Sequence, residues 1–120
     1  MRTTLSSALR ILVIDDHSNL RETLSALLVK EGHQIADVSS AEDALSLMAS
    51  STFDVIVSDI RLPGMSGLDL YSFLMDSNAQ MAKKIILISG MQQEIDQKMV
   101  PFLRKPFSKD DLLDIIQRIL

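Results

Sequence analysis

The sequence predicts a three-layer α/β sandwich built on a parallel five-stranded sheet, and three observations lead there. Short apolar runs alternate along the chain with longer stretches of helical period. The runs are continuous rather than alternating in polarity, as in strands buried on both faces. Three of them also stop abruptly at polar residues: 11–14 at Asp15-Asp16, 55–57 at Ser58-Asp59, and 85–88 at Ser89-Gly90. In an open sheet of this kind the C-terminal strand ends line the functional crevice.

The elements follow in order. Residues 11–14 form the first strand. Ser18 or Asn19 caps a first helix with Leu20, Leu24, Leu27 and Leu28 on one face, and Gly32 stops it. Residues 34–38 form a second, shorter strand. Ser39-Ser40-Ala41-Glu42 has the S-x-x-E form of a capping box, opening a helix whose inward stripe is Ala41, Ala44, Leu45 and Met48. The strand ending at Asp59 comes next, and Pro63-Gly64 marks a turn. A third helix starts near Gly67, with Leu70, Tyr71 and Leu74 inward. Residues 76–84 read as a polar connection into the strand 85–88. A weak helical segment, 92–99, precedes a short strand at 101–104. Ser108 then caps a last helix with Leu112, Ile115, Ile116 and Ile119 inward, while Leu113 and Leu120 lie off that stripe, a candidate partner surface. Right-handed crossovers leave few topologies for this alternation, and the flavodoxin-like strand order 2-1-3-4-5 fits it.

Composition narrows the function. A chain of 120 residues, 47% hydrophobic and 23% charged, suits one folded domain. A net charge of −4 without a Lys/Arg-rich patch argues against nucleic-acid binding. The absence of cysteine excludes disulfides, zinc–thiolate sites and a thiol nucleophile. No apolar stretch reaches membrane-spanning length, and residues 1–9 read as a polar lead-in or linker without a signal-peptide core, so a cytoplasmic protein is expected.

If Asp15, Asp16 and Asp59 share one sheet edge, their carboxylates repel and each loses hydration. A divalent cation resolves the conflict, and all-oxygen ligands favour Mg²⁺, with Mn²⁺ chemically acceptable. Such a site can hold a phosphoryl oxygen, and Asp59 can act as the nucleophile. Lys105 offers a cation for the remaining oxygens and Ser89 a hydroxyl. His17 and His33, neither paired with another histidine, read as solvated loop residues.

These pieces resemble the receiver domain of two-component response regulators. The matching stretches are Ile-Asp-Asp at 14–16, Ser-Asp-Ile-Arg-Leu-Pro-Gly-Met-Ser-Gly at 58–67, Ile-Ser-Gly at 88–90 and Lys-Pro-Phe at 105–107, and the likeness spans residues 10–120. The resemblance implies that Asp59 is the phosphoacceptor. It implies that Asp15, Asp16, Asp59 and the Arg61 backbone carbonyl ligate Mg²⁺. Ser89 becomes the switch hydroxyl, Phe102 the switch aromatic, and Lys105 the phosphate-pairing lysine, with a cis Lys105-Pro106 bond. The implied donor is a histidine kinase or histidine phosphotransfer domain. The domain would catalyse its own phosphorylation and dephosphorylation without being a turnover enzyme. Two other readings compete. A haloacid-dehalogenase-like phosphohydrolase wants an acid two residues beyond its nucleophile, where this chain has His17 or Arg61. A pseudo-receiver would keep the fold for protein contacts alone.

One departure from the family pattern carries its own expectation. Ser89 and Lys105 are sixteen residues apart, about a turn and a half of helix fewer than is usual. The fourth helix of the family is therefore expected to be short or partly irregular, as in receivers attached to hybrid histidine kinases. The expected solution state is a monomer, or a weak dimer that does not use that helix.

Overall fold

The computed structural model describes residues 8–90 and 100–120. Five strands, β1 (Arg10–Ile14), β2 (Gln34–Val38), β3 (Val55–Asp59), β4 (Ile85–Ser89) and β5 (Phe102–Arg104), form one sheet in the order β2-β1-β3-β4-β5. Every pairing is parallel. The helices are α1 (Ser18–Lys30), α2 (Ala41–Met48), α3 (Gly67–Ser77), α4 (Ala79–Ala82) and α5 (Lys109–Ile119). The expected strand order and the alternation are both present. The expected helix at 92–99 lies outside the described residues.

Continuous apolar strands are required because both faces are covered. Side chains alternate across the sheet, so each strand feeds two cores. Leu12, Ile14, Ile56, Ile85 and Leu87 pack under α2, α3 and α4, against Ala41, Ala44, Leu70 and Leu74. Ile11, Val13, Val55, Val57, Ile86 and Ile88 pack under α1 and α5, against Leu28, Leu112, Ile115 and Ile116. All five residues of β3 are buried, as befits the central strand.

Several local expectations are corrected. The N-cap of α1 is His17, without a side-chain capping bond, rather than Ser18 or Asn19. Leu20 in the first turn of α1 is 46% exposed rather than inward. The cap of α2 sits one residue later than the S-x-x-E reading: Ser40 Oγ accepts from Asp43 N, which frees Glu42 for another contact. The connection after α3 is not irregular. Asn78 caps the four-residue α4, which buries Met81 and Ala82 beneath the sheet. Leu113 is buried, so only Leu120 of the pair set apart on the last helix is exposed. His33 is buried rather than solvated, and its Nδ1 accepts a hydrogen bond from Leu9 N at 3.0 Å. Among the described residues, no helix is long and apolar enough to cross a membrane.

Candidate functional site

Strand register brings the polar residues together. Ile14 pairs with Ser58, so Asp15 and Asp59 each follow directly from neighbouring strand positions. Asp59 pairs with Ile88 and Ser89 with Arg104, which places Ser89 and Lys105 on the other side of the same edge. Lys105 N donates to Ser89 O at 2.8 Å, holding the start of the loop after β5 against β4. The Lys105-Pro106 bond is cis, as the resemblance implies.

Each carboxylate is held by the backbone around it. Asp15, 6% exposed, accepts from His17 N at 2.9 Å through Oδ1. Its carbonyl oxygen accepts from Arg21 Nη1 at 2.9 Å, and Arg21 Nε reaches Asp37 at 3.2 Å, tying α1 to the end of β2. Asp59, 7% exposed, accepts from Arg61 N at 3.1 Å through Oδ1 and from Lys105 Nζ at 3.1 Å through Oδ2. A charge-assisted bond from lysine offsets part of the cost of burying that carboxylate.

The loop after β3 is pinned twice. Gly67 opens α3 directly against the β3 backbone: its N donates to Ile60 O at 2.9 Å, and a Cβ there would run into the Asp59 carbonyl oxygen. Gly64 takes the positive φ of 73° that the turn requires. Glu42 Oε2 from α2 accepts from Met65 N at 3.0 Å and stabilises the same turn. Arg21 and Glu42 are the positioning residues that sequence reasoning missed. Nothing in the local pattern marked Arg21, and the misplaced capping box assigned Glu42 to its own helix.

Donor atoms of Asp15, His17 and Asp59 all lie within 4.8 Å of one another. Asp16 stands further out. Its side chain is 33% exposed and its Oδ1 lies 3.3 Å from His17 Nδ1. His17 is thus exposed, as expected for a loop residue, yet it belongs to the acidic cluster. Ser89 is buried at the edge. Phe102 is half-buried on β5 opposite Leu87, with the Arg104 guanidinium 5.7 Å from its ring centre. Arg61 is exposed and meets Asp59 through its backbone N. Beside the site lies an apolar groove of about 650 Å³, lined by Asp15, Lys105, Leu20, Leu24, Leu27 and Phe107 among others.

Comparison with known proteins finds relatives of the chain. A family model described as the response regulator receiver domain matches residues 11–117. The response regulator protein FleR of Pseudomonas aeruginosa is 31% identical over 115 residues, covering 92% of this chain and 24% of FleR. Protein PilH of the same organism is 30% identical over 117 residues, covering 92% of this chain and 97% of PilH. The crystal structure of the response regulator TrrA from Thermotoga maritima, in complex with Mg²⁺-BeF, superposes with a TM-score of 0.82 at 30% identity, covering 92% of this chain and 98% of that one. The chain therefore spans about a quarter of FleR and nearly all of PilH.

Proposed function

The chain belongs to the response regulator receiver domain family, and we propose that within it Asp59 accepts a phosphoryl group from a phosphohistidine donor. The observation that carries this reading is the Asp59 carboxylate at the end of β3, 3.1 Å from Lys105 Nζ and clustered with Asp15. A carboxylate paired with a mobile ammonium, beside a second buried carboxylate, is a nucleophile with its charge partner already in place.

In the transfer an Asp59 oxygen attacks phosphorus. The new O–P bond forms as the P–N bond to the donor imidazole breaks, and the electron pair returns to that nitrogen. Lys105 moves from Asp59 to the phosphoryl oxygens, exchanging one anionic partner for another. Ser89 supplies a hydroxyl to the same group, and Phe102 is the neighbouring aromatic that responds. Asp15, Asp16, Asp59 and the Arg61 backbone carbonyl are hard oxygen donors of the kind Mg²⁺ takes, and Mn²⁺ is also suited. That cation, when bound, supplies charge neutralisation at the phosphoryl oxygens. TrrA, a 30% identical relative, was crystallised with Mg²⁺-BeF, which supports a Mg²⁺ site in this chain.

The partner is a histidine kinase or histidine phosphotransfer domain, which sets the cytoplasm as the working compartment. The apolar groove, lined in part by Asp15 and Lys105, gives the donor's carrier a surface beside the site. Incubation with phosphoramidate and Mg²⁺ is the test. Wild type becomes labelled at one aspartate, and Asp59→Asn abolishes the label. Labelling that persists in Asp59→Asn, or that proceeds equally in excess chelator, overturns the assignment.

A further inference from the structure

We infer that His17 contributes a nitrogen ligand to the cation pocket, biasing this receiver toward divalent transition metals. The inference rests on the proposed phosphoryl site and concerns a residue which that site does not require. His17 Nδ1 lies 3.5 Å from Asp15 Oδ1 and 3.3 Å from Asp16 Oδ1. Its donor atom also falls with those of Asp15 and Asp59 inside a common 4.8 Å span. An octahedral shell with bonds of about 2.1 Å separates adjacent donors by about 3.0 Å and opposite donors by about 4.2 Å. The 3.3 and 3.5 Å spacings fall between those values, so a small rotation of the ring and carboxylates lets nitrogen and oxygen share one shell.

Mobility and chemistry favour the same conclusion. The imidazole is 66% exposed, so it rotates without disturbing the core, while the His17 backbone N fixes the Asp15 carboxylate. Asp15 and His17 thereby act from one turn as a chelating pair. Mg²⁺ prefers oxygen and keeps its waters, whereas imidazole affinity climbs along the series from Mn²⁺ through Co²⁺ and Ni²⁺. A carboxylate-only pocket follows the same order, but less steeply than one with an imidazole ligand. The competing account is a simple ion pair between the imidazole and the two carboxylates.

The two accounts separate in a titration of the intact domain. Co²⁺ and Mg²⁺ affinities are measured by calorimetry for wild type and His17→Ala. The nitrogen resonances of the histidines are followed on adding Zn²⁺. Loss of even an outer partner of a metal ligand weakens binding tenfold or more, so His17→Ala should lower the ratio of Co²⁺ to Mg²⁺ affinity by roughly tenfold or more. The His17 Nδ1 resonance should move on Zn²⁺ binding in wild type. An unchanged ratio, or a His17 resonance that stays still at saturating Zn²⁺, means an ion pair only and overturns the inference. Beryllofluoride binding to wild type with Mg²⁺ is the control. If it succeeds while the His17 signals fail, only the nitrogen ligand is refuted; if it fails, the phosphoryl-site reading falls as well.

Discussion

His33 shows how a single residue can escape a sequence reading and still govern behaviour. Its place in the turn before β2 suggested solvent, yet Leu9 N donates to its Nδ1 and leaves the proton on Nε2, which is buried with no hydrogen-bond partner among the described residues. Burial lowers the imidazole pKa below the usual 6.5, and the Glu31 carboxylate pulls weakly the other way. The unfolded chain therefore takes up this proton first as pH falls. Stability conferred by neutral His33 is intact above 6.5, declines below it, and levels off once pH is under the folded value. Urea midpoints at pH 7.5, 6 and 5 (roughly the window below an ordinary histidine pKa) should fall more in wild type than in His33→Gln, which keeps an acceptor for Leu9. Equal slopes would show that His33 titrates alike in both states. Lys105 is the contrasting residue, legible from its motif because the role proposed for it is chemical rather than structural. It fills no core volume, but its loss takes a partner from the buried Asp59 carboxylate, so Lys105→Ala should keep the fold at a cost of about 1–3 kcal/mol and should slow phosphoramidate labelling of Asp59 sharply. A variant labelled at the wild-type rate would remove Lys105 from the proposed site.

At the scale of elements, legibility depended on whether a signal was local. Apolar β-branched runs mark β1, β3 and β4 without any tertiary knowledge, and Ser108, the expected cap of α5, forms a capping box with Asp111. Ser66 with Asp69 makes the same box on α3. Either serine replaced by alanine should cost about 1 kcal/mol. By contrast α4 has only four residues, too few to show a period, and its worth comes from Met81 and Ala82 meeting a sheet that the local sequence does not contain. Gly67 shows the same dependence. Its need for glycine arises from the Asp59 carbonyl above it, a contact invisible along the chain. Because backbone cannot yield as a flexible side chain does, Gly67→Ala should destabilise by about 1–3 kcal/mol. It should also slow phosphorylation beyond what the lost stability explains, since the displaced atoms belong to Asp59, the proposed phosphoacceptor. Denaturation together with labelling under conditions where the variant is fully folded separates the two effects. A destabilised variant with wild-type labelling would mean that the loop absorbs the strain away from Asp59.

For the whole molecule, the proposed chemistry requires that Asp15 after β1, Asp59 on β3 and Lys105 after β5 remain in one rigid frame. The strand order was legible because continuous apolar runs demand two covered faces and right-handed crossovers then permit few windings. How tightly the two faces are coupled was not, since it depends on which side each residue takes. Alternation along β1, β3 and β4 commits successive residues of the same strand to opposite cores, so neither helical layer can leave without exposing a strand the other still needs. Leu70 of α3 and Leu112 of α5 are fully buried on opposite sides of that sheet. Leu70→Ala and Leu112→Ala should each lower unfolding free energy by about 2–5 kcal/mol, a large part of the roughly 5–15 kcal/mol typical of a domain. Both variants should nevertheless unfold in a single transition, with circular dichroism and Mg²⁺-dependent beryllofluoride binding lost together. If Leu112→Ala lost beryllofluoride binding at a lower denaturant concentration than its helical signal, α1 and α5 would form a separable layer. The frame that carries Lys105 to Asp59 would then open independently of the central strands.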